Sequence, residues 1–251
     1  MPPLRVILFA GLLLMGACAD RPAAGDADAL AEYKANNDPI EPANRFFYRV
    51  NDGLDTYILA PVARGYRYAV PEAVRRPIHN VVNNIATPVI FANDVLQAKP
   101  RRAGDSMMRF LINSTAGVGG LFDVATSLGY PEHDSGFGTT LALWGVGEGP
   151  FLFLPVIGPS NPRDAAGFAG NVALDPLTFA TFGGSRTLGI ARAGVSAIDS
   201  RERLLDPIDN IKKSALDPYA TFRSLYRQNR QAEIDGLRGP DIATVPAWFK
   251  K

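Results

Sequence analysis

Twenty prolines, spread over most of a chain of 251 residues, are the feature that most constrains its fold. Proline lacks a backbone N–H and its ring clashes with the carbonyl four residues earlier, so a proline inside a helix kinks or ends it. Between the prolines, apolar residues mostly follow the helical period, and only Phe151–Leu154, between Pro150 and Pro155, has the composition of an extended segment. We therefore predict a mostly α fold, a single domain of short, proline-kinked amphipathic helices with at most one short extended segment.

The prolines also predict where helices begin and end. A first helix carries the apolar stripe from Phe46 to Ile58, and Pro61 ends or bends it. Pro71 opens a second helix, which Thr87–Pro88 breaks. Further helices are predicted at Ser106–Ile112, Leu121–Leu128, Arg163–Leu174, Thr187–Arg203 and Tyr219–Leu237. Because short kinked helices curve around a centre more readily than they form a straight bundle, we predict a ring-like domain; an irregular helical globule is the alternative.

The N-terminus has the pattern of an exported lipoprotein. Arg5 precedes an apolar run from Val6 to Met15, which is shorter than the about 20 residues of a membrane-spanning helix, and small residues then lead to Cys18, the only cysteine. Charge, apolar run and small residues in this order form a secretory signal. The cysteine placed after them resembles a bacterial lipobox. We expect a signal peptide at 1–17, an acylated Cys18 as lipid anchor and a flexible tether at 18–37; a signal followed by a chance cysteine is the alternative.

Charge and motifs argue against several functions. Loss of Arg5 leaves 25 Lys and Arg against 25 Asp and Glu, whereas nucleic-acid binders carry a basic stripe, so no nucleic-acid partner is expected. With Cys18 acylated, no thiol is left to bind a metal or to act as a nucleophile. The sequence also has no Gly-x-Ser-x-Gly motif of hydrolases, no His-Glu-x-x-His zinc motif and no Walker motif. Glu132-His133-Asp134-Ser135 collects an acid, a base and a hydroxyl, but neighbours in sequence rarely face one another, so we predict a solvated loop. We expect no enzyme, no metal and no cofactor besides the lipid; a lipid hydrolase is the alternative.

Six blocks of sequence, in a fixed order, point to one family. They are Asp38–Arg45, the segment Asn84…Pro88…Asn93…Leu96-Gln97, Arg109–Ala125, Gly145–Pro150, Leu154–Ser160 followed by Arg163-Asp164, and Asp217–Tyr219. Together these blocks, which lie between about Asp38 and about Ile234, resemble the MlaA (VacJ) lipoproteins of Gram-negative outer membranes. Each block alone is weak, because glycine-rich phrases are common.

The resemblance implies a ring of amphipathic helices in the inner leaflet of the outer membrane, beside trimeric porins. It implies a central channel through which phospholipids misplaced in the outer leaflet pass to a soluble periplasmic lipid carrier, with no catalysis by the lipoprotein. We accordingly assign residues 38–236 to a helical lipid-conduit domain, anchored on the periplasmic side of the outer membrane, and 237–251 to a C-terminal tail. A structural lipoprotein that braces a porin without transport is the alternative.

Two sets of residues are candidates for the channel. Gly145, Val146, Gly147, Gly149 and Pro150 belong to a glycine-rich segment, and we predict a hairpin there that controls passage, with its glycines as pivots; a tight structural turn is the alternative. The polar residues Asn113, Asp123, Arg163 and Asp164 stand among apolar neighbours and are candidates for lining the channel and meeting head groups. Helix caps or buried hydrogen bonds are the alternative for these four.

Overall fold

The computed structural model of the chain describes residues 26, 30, 31, 33, 36–181 and 183–239. The predicted signal peptide, the anchor Cys18, most of the tether and the tail beyond residue 239 lie outside these residues. The described part is mostly helical, as predicted. Its helices are α1 (Glu41–Leu54), α2 (Ala60–Ala69), α3 (Glu72–Leu96), α4 (Pro100–Thr115), α5 (Val124–Ser127), α6 (Phe137–Leu143), α7 (Pro162–Leu174), α8 (Ser185–Arg203), α9 (Leu205–Ser214) and α10 (Pro218–Arg238).

A two-stranded antiparallel hairpin interrupts the helices. Strand β1 (Leu152–Leu154) lies within the predicted extended segment, and β2 (Gly158–Ser160) pairs with it so that Phe153 faces Pro159. The second strand corrects the expectation of at most one extended segment. Its sequence, Gly-Pro-Ser, has no strand signal of its own, and it is extended because it pairs with β1.

Pro61 bends the helical run without ending it. α1 and α2 are joined by one turn of π-helix, Asp55–Leu59, so that the chain is helical from Glu41 to Ala69. Pro61 has no N–H to donate to the residue four positions earlier, and a π-turn, whose hydrogen bonds reach five residues back, fits beside such a gap.

Pro88 does not break α3, and the predicted break at Thr87–Pro88 is wrong. Both Pro77 and Pro88 lie inside this helix, which runs without interruption along its neighbour α4. The hydroxyl of Thr87 donates to the backbone carbonyl of Asn83 at 2.9 Å, so local side-chain bonding supports the backbone next to the proline. The predicted helix at Leu121–Leu128 is also shorter than expected, because the side chain of Asp123 caps α5 and fixes its start at Val124.

The helices contact one another in a closed circuit. α2 packs on α8, α8 on α3, α3 on α6, α6 on α10, α10 on α9, and α9 again on α2. α6 and α7 approach so closely that a Cβ on Gly167 would lie 2.3 Å from the backbone nitrogen of Gly138. This circuit is the arrangement that a ring of helices requires.

The buried apolar core is small and aromatic. Phe151, Phe153 and Tyr219 form its main cluster, in which Tyr48 contacts Phe153 edge-on with ring centroids 5.5 Å apart. A second cluster joins Ala60 and Ala63 to Leu205. The hairpin therefore packs between α1 and α10. Hydrogen bonds and ion pairs between side chains hold most of the remaining interior.

Candidate functional site

Polar and charged side chains, not apolar ones, fill most of the interior. Among the described residues, buried polar and charged side chains outnumber buried apolar ones by two to one, while large apolar side chains are exposed on seven of the ten helices. Water-soluble domains have the opposite distribution inside, since polar groups are costly to bury. None of the described helices combines the length and apolar content needed to span a bilayer.

An exposed apolar surface runs along α1 and α2. Phe46, Val50, Leu54, Ile58 and Val62 recur every four residues and form what we call the apolar stripe. Each of these side chains is at least 37% exposed, and Ala60 and Ala63 of α2 are buried on another face of the same run. An exposed apolar patch of this length marks contact with a membrane or with another protein.

The interior charges are paired across helices. Arg67 of α2 donates to Glu202 of α8 at 2.8 Å, and at the surface Arg64 donates to Asp209 of α9 at 2.7 Å. Asp55 accepts from both Arg201 and Lys212, so the π-turn is tied to α8 and α9. Burial alone would raise the pKa of Asp55, but the hydrogen bonds from these two cations hold it below its usual value. Ion pairs thus join the helices where most proteins place an apolar core.

The segment Gly145–Pro150 is a loop between α6 and β1, and the hairpin lies one segment later. Gly145 has φ +90°, and the amides of Gly145 and Val146 bond back to Ala142 and Leu141, which caps α6. This corrects the predicted position of the hairpin, because its first glycine is used to end a helix. Gating by this loop stays a prediction.

The two halves of this loop differ in freedom. Glu148 pairs with Arg227 of α10 at 3.1 Å, and the carbonyl of Gly149 accepts from the Asn37 amide at 2.6 Å. A Cβ on Gly149 would lie 2.9 Å from the Pro162 ring, whereas one on Gly147 would meet nothing within 4 Å. The second half is therefore tied to the fold, and Gly147, just before it, is the open position of the loop.

Two asparagines of α1 bind the hairpin as a third strand would. The carboxamide of Asn44 donates to the carbonyl of Phe151 and accepts from the amide of Phe153. Two helical turns later, Asn51 donates to the carbonyl of Leu154 and accepts from the amide of Val156. The turn that follows exposes 78% of Val156. The hairpin is thus fixed along its length while its tip presents an apolar side chain.

Asn113 and Asp123 lie together on a polar cavity between α3 and α4. Asp123 accepts from Asn113 at 3.0 Å and from the backbone amide of Thr126, which it caps, and it pairs with Arg109 at 3.3 Å. Burial alone would raise the pKa of Asp123, but hydrogen bonds from Thr126 and Asn113 and the charge of Arg109 hold it below its usual value. The cavity measures about 70 Å³ and both residues line it. Their hydrogen bonds are those of helix caps.

Arg163 and Asp164 are buried in a network between α7 and α10. Asp164 accepts from Arg230 at 2.7 Å and from the hydroxyl of Tyr226, and Arg163 donates to it at 3.2 Å. Burial and the hydrogen bond to Asp164 raise the pKa of Tyr226, so its hydroxyl stays protonated and donates. The backbone amide of Asp164 is in turn capped by Asn161.

The same module occurs seven residues earlier on α10. Tyr219 and Arg223 hold the buried Asp38, as Tyr226 and Arg230 hold Asp164. Seven residues are two helical turns, so the two modules lie on one face of α10. The sequence analysis did not single out these tyrosines and arginines. Their repeated Tyr-x-x-x-Arg spacing is a signal that could have indicated them, but it does not indicate either carboxylate.

His133 does not lie in a solvated loop. Its Nε2 is 2.9 Å from the fully buried Asp94 and 3.1 Å from the hydroxyl of Ser106. A nucleophilic triad needs the acid and the hydroxyl on opposite nitrogens of the ring, whereas here both contact the same nitrogen and Ser106 donates directly to Asp94 at 2.6 Å. This cluster is therefore not arranged to activate the serine.

Two larger cavities have both apolar walls and charged groups. One of about 320 Å³, between the end of α7 and α8, has walls of Val172, Leu177 and Leu188 beside the pair Arg192–Asp175. Another of about 180 Å³ lies under the hairpin, with Tyr48, Phe153 and Phe222 in its walls and Lys212 between Asp52 and Asp55. In the described part of the chain, no three His, Cys, Asp or Glu residues are grouped so as to hold a metal ion.

The comparisons with known proteins agree with this architecture. Residues 36–233 match the family model described as MlaA lipoprotein. The chain belongs to the MlaA lipoprotein family. This confirms the family that the six sequence blocks indicated.

Individual MlaA relatives cover most of the chain. An uncharacterised protein of Rickettsia bellii is 39% identical over 78% of this chain and 76% of its own length. The intermembrane phospholipid transport system lipoprotein MlaA of Haemophilus influenzae is 33% identical over 79% of this chain and 80% of its own. A solved structure from work on the structural basis for maintenance of bacterial outer membrane lipid asymmetry superposes with a TM-score of 0.69 at 33% identity, covering 78% of this chain and 98% of that one.

Proposed function

We propose that this chain is an outer-membrane lipoprotein that removes phospholipids from the outer leaflet and passes them to a soluble periplasmic lipid carrier. The relatives whose names refer to intermembrane phospholipid transport support this assignment. In this proposal acylated Cys18 anchors the chain on the periplasmic side of the outer membrane, beside a trimeric porin. The protein moves lipid and catalyses no reaction.

The observation that carries the proposal is the reversed distribution of polarity. The helices expose apolar side chains such as those of the apolar stripe, and they bury ion pairs. Immersion of such helices in a leaflet would bury the exposed apolar surface, and helices satisfy their own backbone hydrogen bonds there. The polar interior is then available to a charged head group.

A lipid that leaves the outer leaflet needs this combination. Exposing about 30 tail methylenes to water would cost on the order of 25 kcal/mol at about 0.8 kcal/mol each. Moving an unpaired charged head group through hydrocarbon is also costly. The closed circuit of helices supports a passage with a polar side for the head and an apolar side for the tails.

The loop before the hairpin is our candidate for the gate of this passage. Gly145 and Val146 are held by α6, Glu148 and Gly149 are tied to α10 and to Asn37, and Gly147 between them has open space around it. In the proposal, movement of the loop about Gly147 opens and closes the passage.

Transfer of labelled phospholipid tests the proposal against its alternatives. The full acylated protein is reconstituted in vesicles whose phospholipid carries one radiolabel in the head group and another in a tail, and a soluble lipid-binding acceptor is added. We expect intact lipid to reach the acceptor only when the protein is present. Cleaved lipid would support a hydrolase, and no transfer above protein-free vesicles would support a structural lipoprotein.

A further inference from the structure

A cavity of about 540 Å³ at the corner between α2 and α3 is lined entirely by charged side chains. Its arginines are Arg67, Arg75, Arg76 and Arg203, and its acids are Glu72, Asp199 and Glu202. Its volume falls within the about 300–1,000 Å³ of small-molecule sites, but such sites are mostly apolar. This one suits a small group that carries charge, and not an acyl tail.

On the deep side of the cavity, two arginines converge on one carboxylate. One oxygen of Glu202 accepts from Arg67 at 2.8 Å and also from Arg75. The Nε of Arg75 is buried without a hydrogen-bond partner. A buried polar atom of this kind is normally satisfied, so it indicates a bound acceptor.

The rim of the cavity holds charges that are available to exchange partners. Arg76 and Glu72 form an exposed ion pair at 2.6 Å, with 74% and 64% of their side chains exposed. Arg203 is half exposed and lies 3.6 Å from Asp199. Exposed pairs of this kind contribute little stability, so a ligand with both charges can replace them.

On this basis we propose that the cavity binds the head group of a zwitterionic phospholipid that has a primary ammonium. The phosphate accepts from Arg75, Arg76 and Arg203, because arginine matches phosphate oxygens in geometry and charge. The ammonium donates to Glu72 on the rim.

The same chemistry disfavours a quaternary ammonium. A trimethylammonium group has no N–H to donate to Glu72, and proteins that recognise it surround it with aromatic rings. No aromatic residue lines this cavity. The inference rests on the proposed function, since it names which phospholipid head group the conduit prefers.

Binding of short-chain phospholipids that differ only in the head group tests the inference. The full acylated protein in detergent is titrated with dihexanoyl phosphatidylethanolamine, dihexanoyl phosphatidylcholine and inorganic phosphate, and bound ligand is counted by native mass spectrometry. We expect the ethanolamine lipid to bind at least fivefold more tightly than the choline lipid, and Glu72→Gln to remove that preference. Arg76→Gln combined with Arg203→Gln should weaken both lipids about tenfold.

The matched control is an ion pair of the same kind outside the cavity. Arg238 and Asp235 on α10 lie 3.7 Å apart with 60% and 57% of their side chains exposed, so Arg238→Gln with Asp235→Asn should leave binding unchanged. Circular dichroism melting confirms that each variant folds. Equal binding of the two lipids by the wild type, or wild-type binding by the double arginine variant, would overturn the inference, as would inorganic phosphate binding as tightly as the lipid. Labelled-lipid transfer that persists without head-group preference would leave the proposed function standing, whereas absent transfer would remove it.

Discussion

The side-chain amide of Asn44 donates to the carbonyl oxygen of Phe151 at 3.0 Å, in the centre of the domain. The same side chain accepts from the amide of Phe153 at 2.8 Å and donates to Asp38 at 2.7 Å. One residue of α1 therefore holds the inner edge of the hairpin and contacts the buried carboxylate that α10 binds.

Asn44→Ala is expected to destabilise the fold strongly. It leaves the carbonyl of Phe151 and the amide of Phe153 buried without partners, which should lower the free energy of unfolding by about 2–5 kcal/mol. Denaturant unfolding of the detergent-solubilised protein, followed by circular dichroism, measures this. Asn51→Ala is the comparison, because Asn51 makes the same pair of bonds nearer the exposed tip. An equal effect of the two substitutions would show that burial at Asn44 does not matter.

The apolar stripe is expected to bind the membrane without help from the lipid anchor. Phe46→Glu with Ile58→Glu should reduce vesicle binding of the Cys18→Ala protein at least 100-fold, because burial of each side chain contributes about 1.5–3 kcal/mol. Co-flotation with phospholipid vesicles measures the partition coefficient. Gln228→Glu with Gln231→Glu, two exposed positions on α10, provides the control for added charge. Equal flotation of the two double variants would contradict a membrane-facing stripe.

The bond from Ser106 to Asp94 is expected to make stability depend on pH. Burial alone would raise the pKa of Asp94, but hydrogen bonds from His133 and Ser106 hold it below its usual value of 3.8. A carboxyl with a lowered pKa stabilises the fold above its unfolded pKa, and this contribution is lost as the pH falls through the folded pKa. Ser106→Ala should therefore lower the free energy of unfolding by about 1.5–3 kcal/mol at pH 7. This difference between the wild type and the variant should narrow below pH 3.8.

Urea unfolding between pH 7 and pH 2.5 measures that gap. Ser214→Ala is the control, because the Ser214 hydroxyl donates to the carbonyl of Asn210 and not to a carboxylate. Ser214→Ala should change the free energy of unfolding by the same amount at every pH. A gap for Ser106→Ala that stays constant down to pH 2.5 would show that the hydroxyl does not stabilise an ionised Asp94.

Gly147→Val is expected to slow lipid transfer while leaving the fold intact. A Cβ at this position meets nothing within 4 Å, so the unfolding free energy should change by less than about 0.5 kcal/mol. The branched side chain restricts the backbone at this open position of the loop and should slow transfer severalfold. Gly149→Val is the contrasting variant, since φ is +71° there and Pro162 is too close; it should lose stability as well. Transfer by Gly147→Val at the wild-type rate would argue against gating by this loop.

Much of the helical framework could be predicted from the sequence. Pro71 before Glu72 marked the start of α3, and the apolar spacing from Phe46 to Ile58 marked α1. These signals are local, because capping and periodicity act over one or two turns. The family was also readable, since its blocks of sequence keep their order.

The interior could not be predicted in the same way. Asp38 meets Tyr219 and Arg223 across most of the length of the chain, and Asp94 meets His133 only once α3 and the loop before α6 are packed. No local pattern encodes such pairs. Pro88 likewise predicted a break in the helix, because proline lacks a backbone N–H. The packing of α3 on α4 outweighs this local preference, and the helix continues through Pro88.

The level of phospholipid in the outer leaflet of intact cells tests the central claim most directly. Cells without this gene, and the same cells supplied with the wild-type chain, are labelled with a membrane-impermeant reagent for head-group amines. The account predicts that labelled phospholipid rises when the gene is absent and returns to its original level with the wild-type chain. An unchanged level in cells without the gene would contradict it.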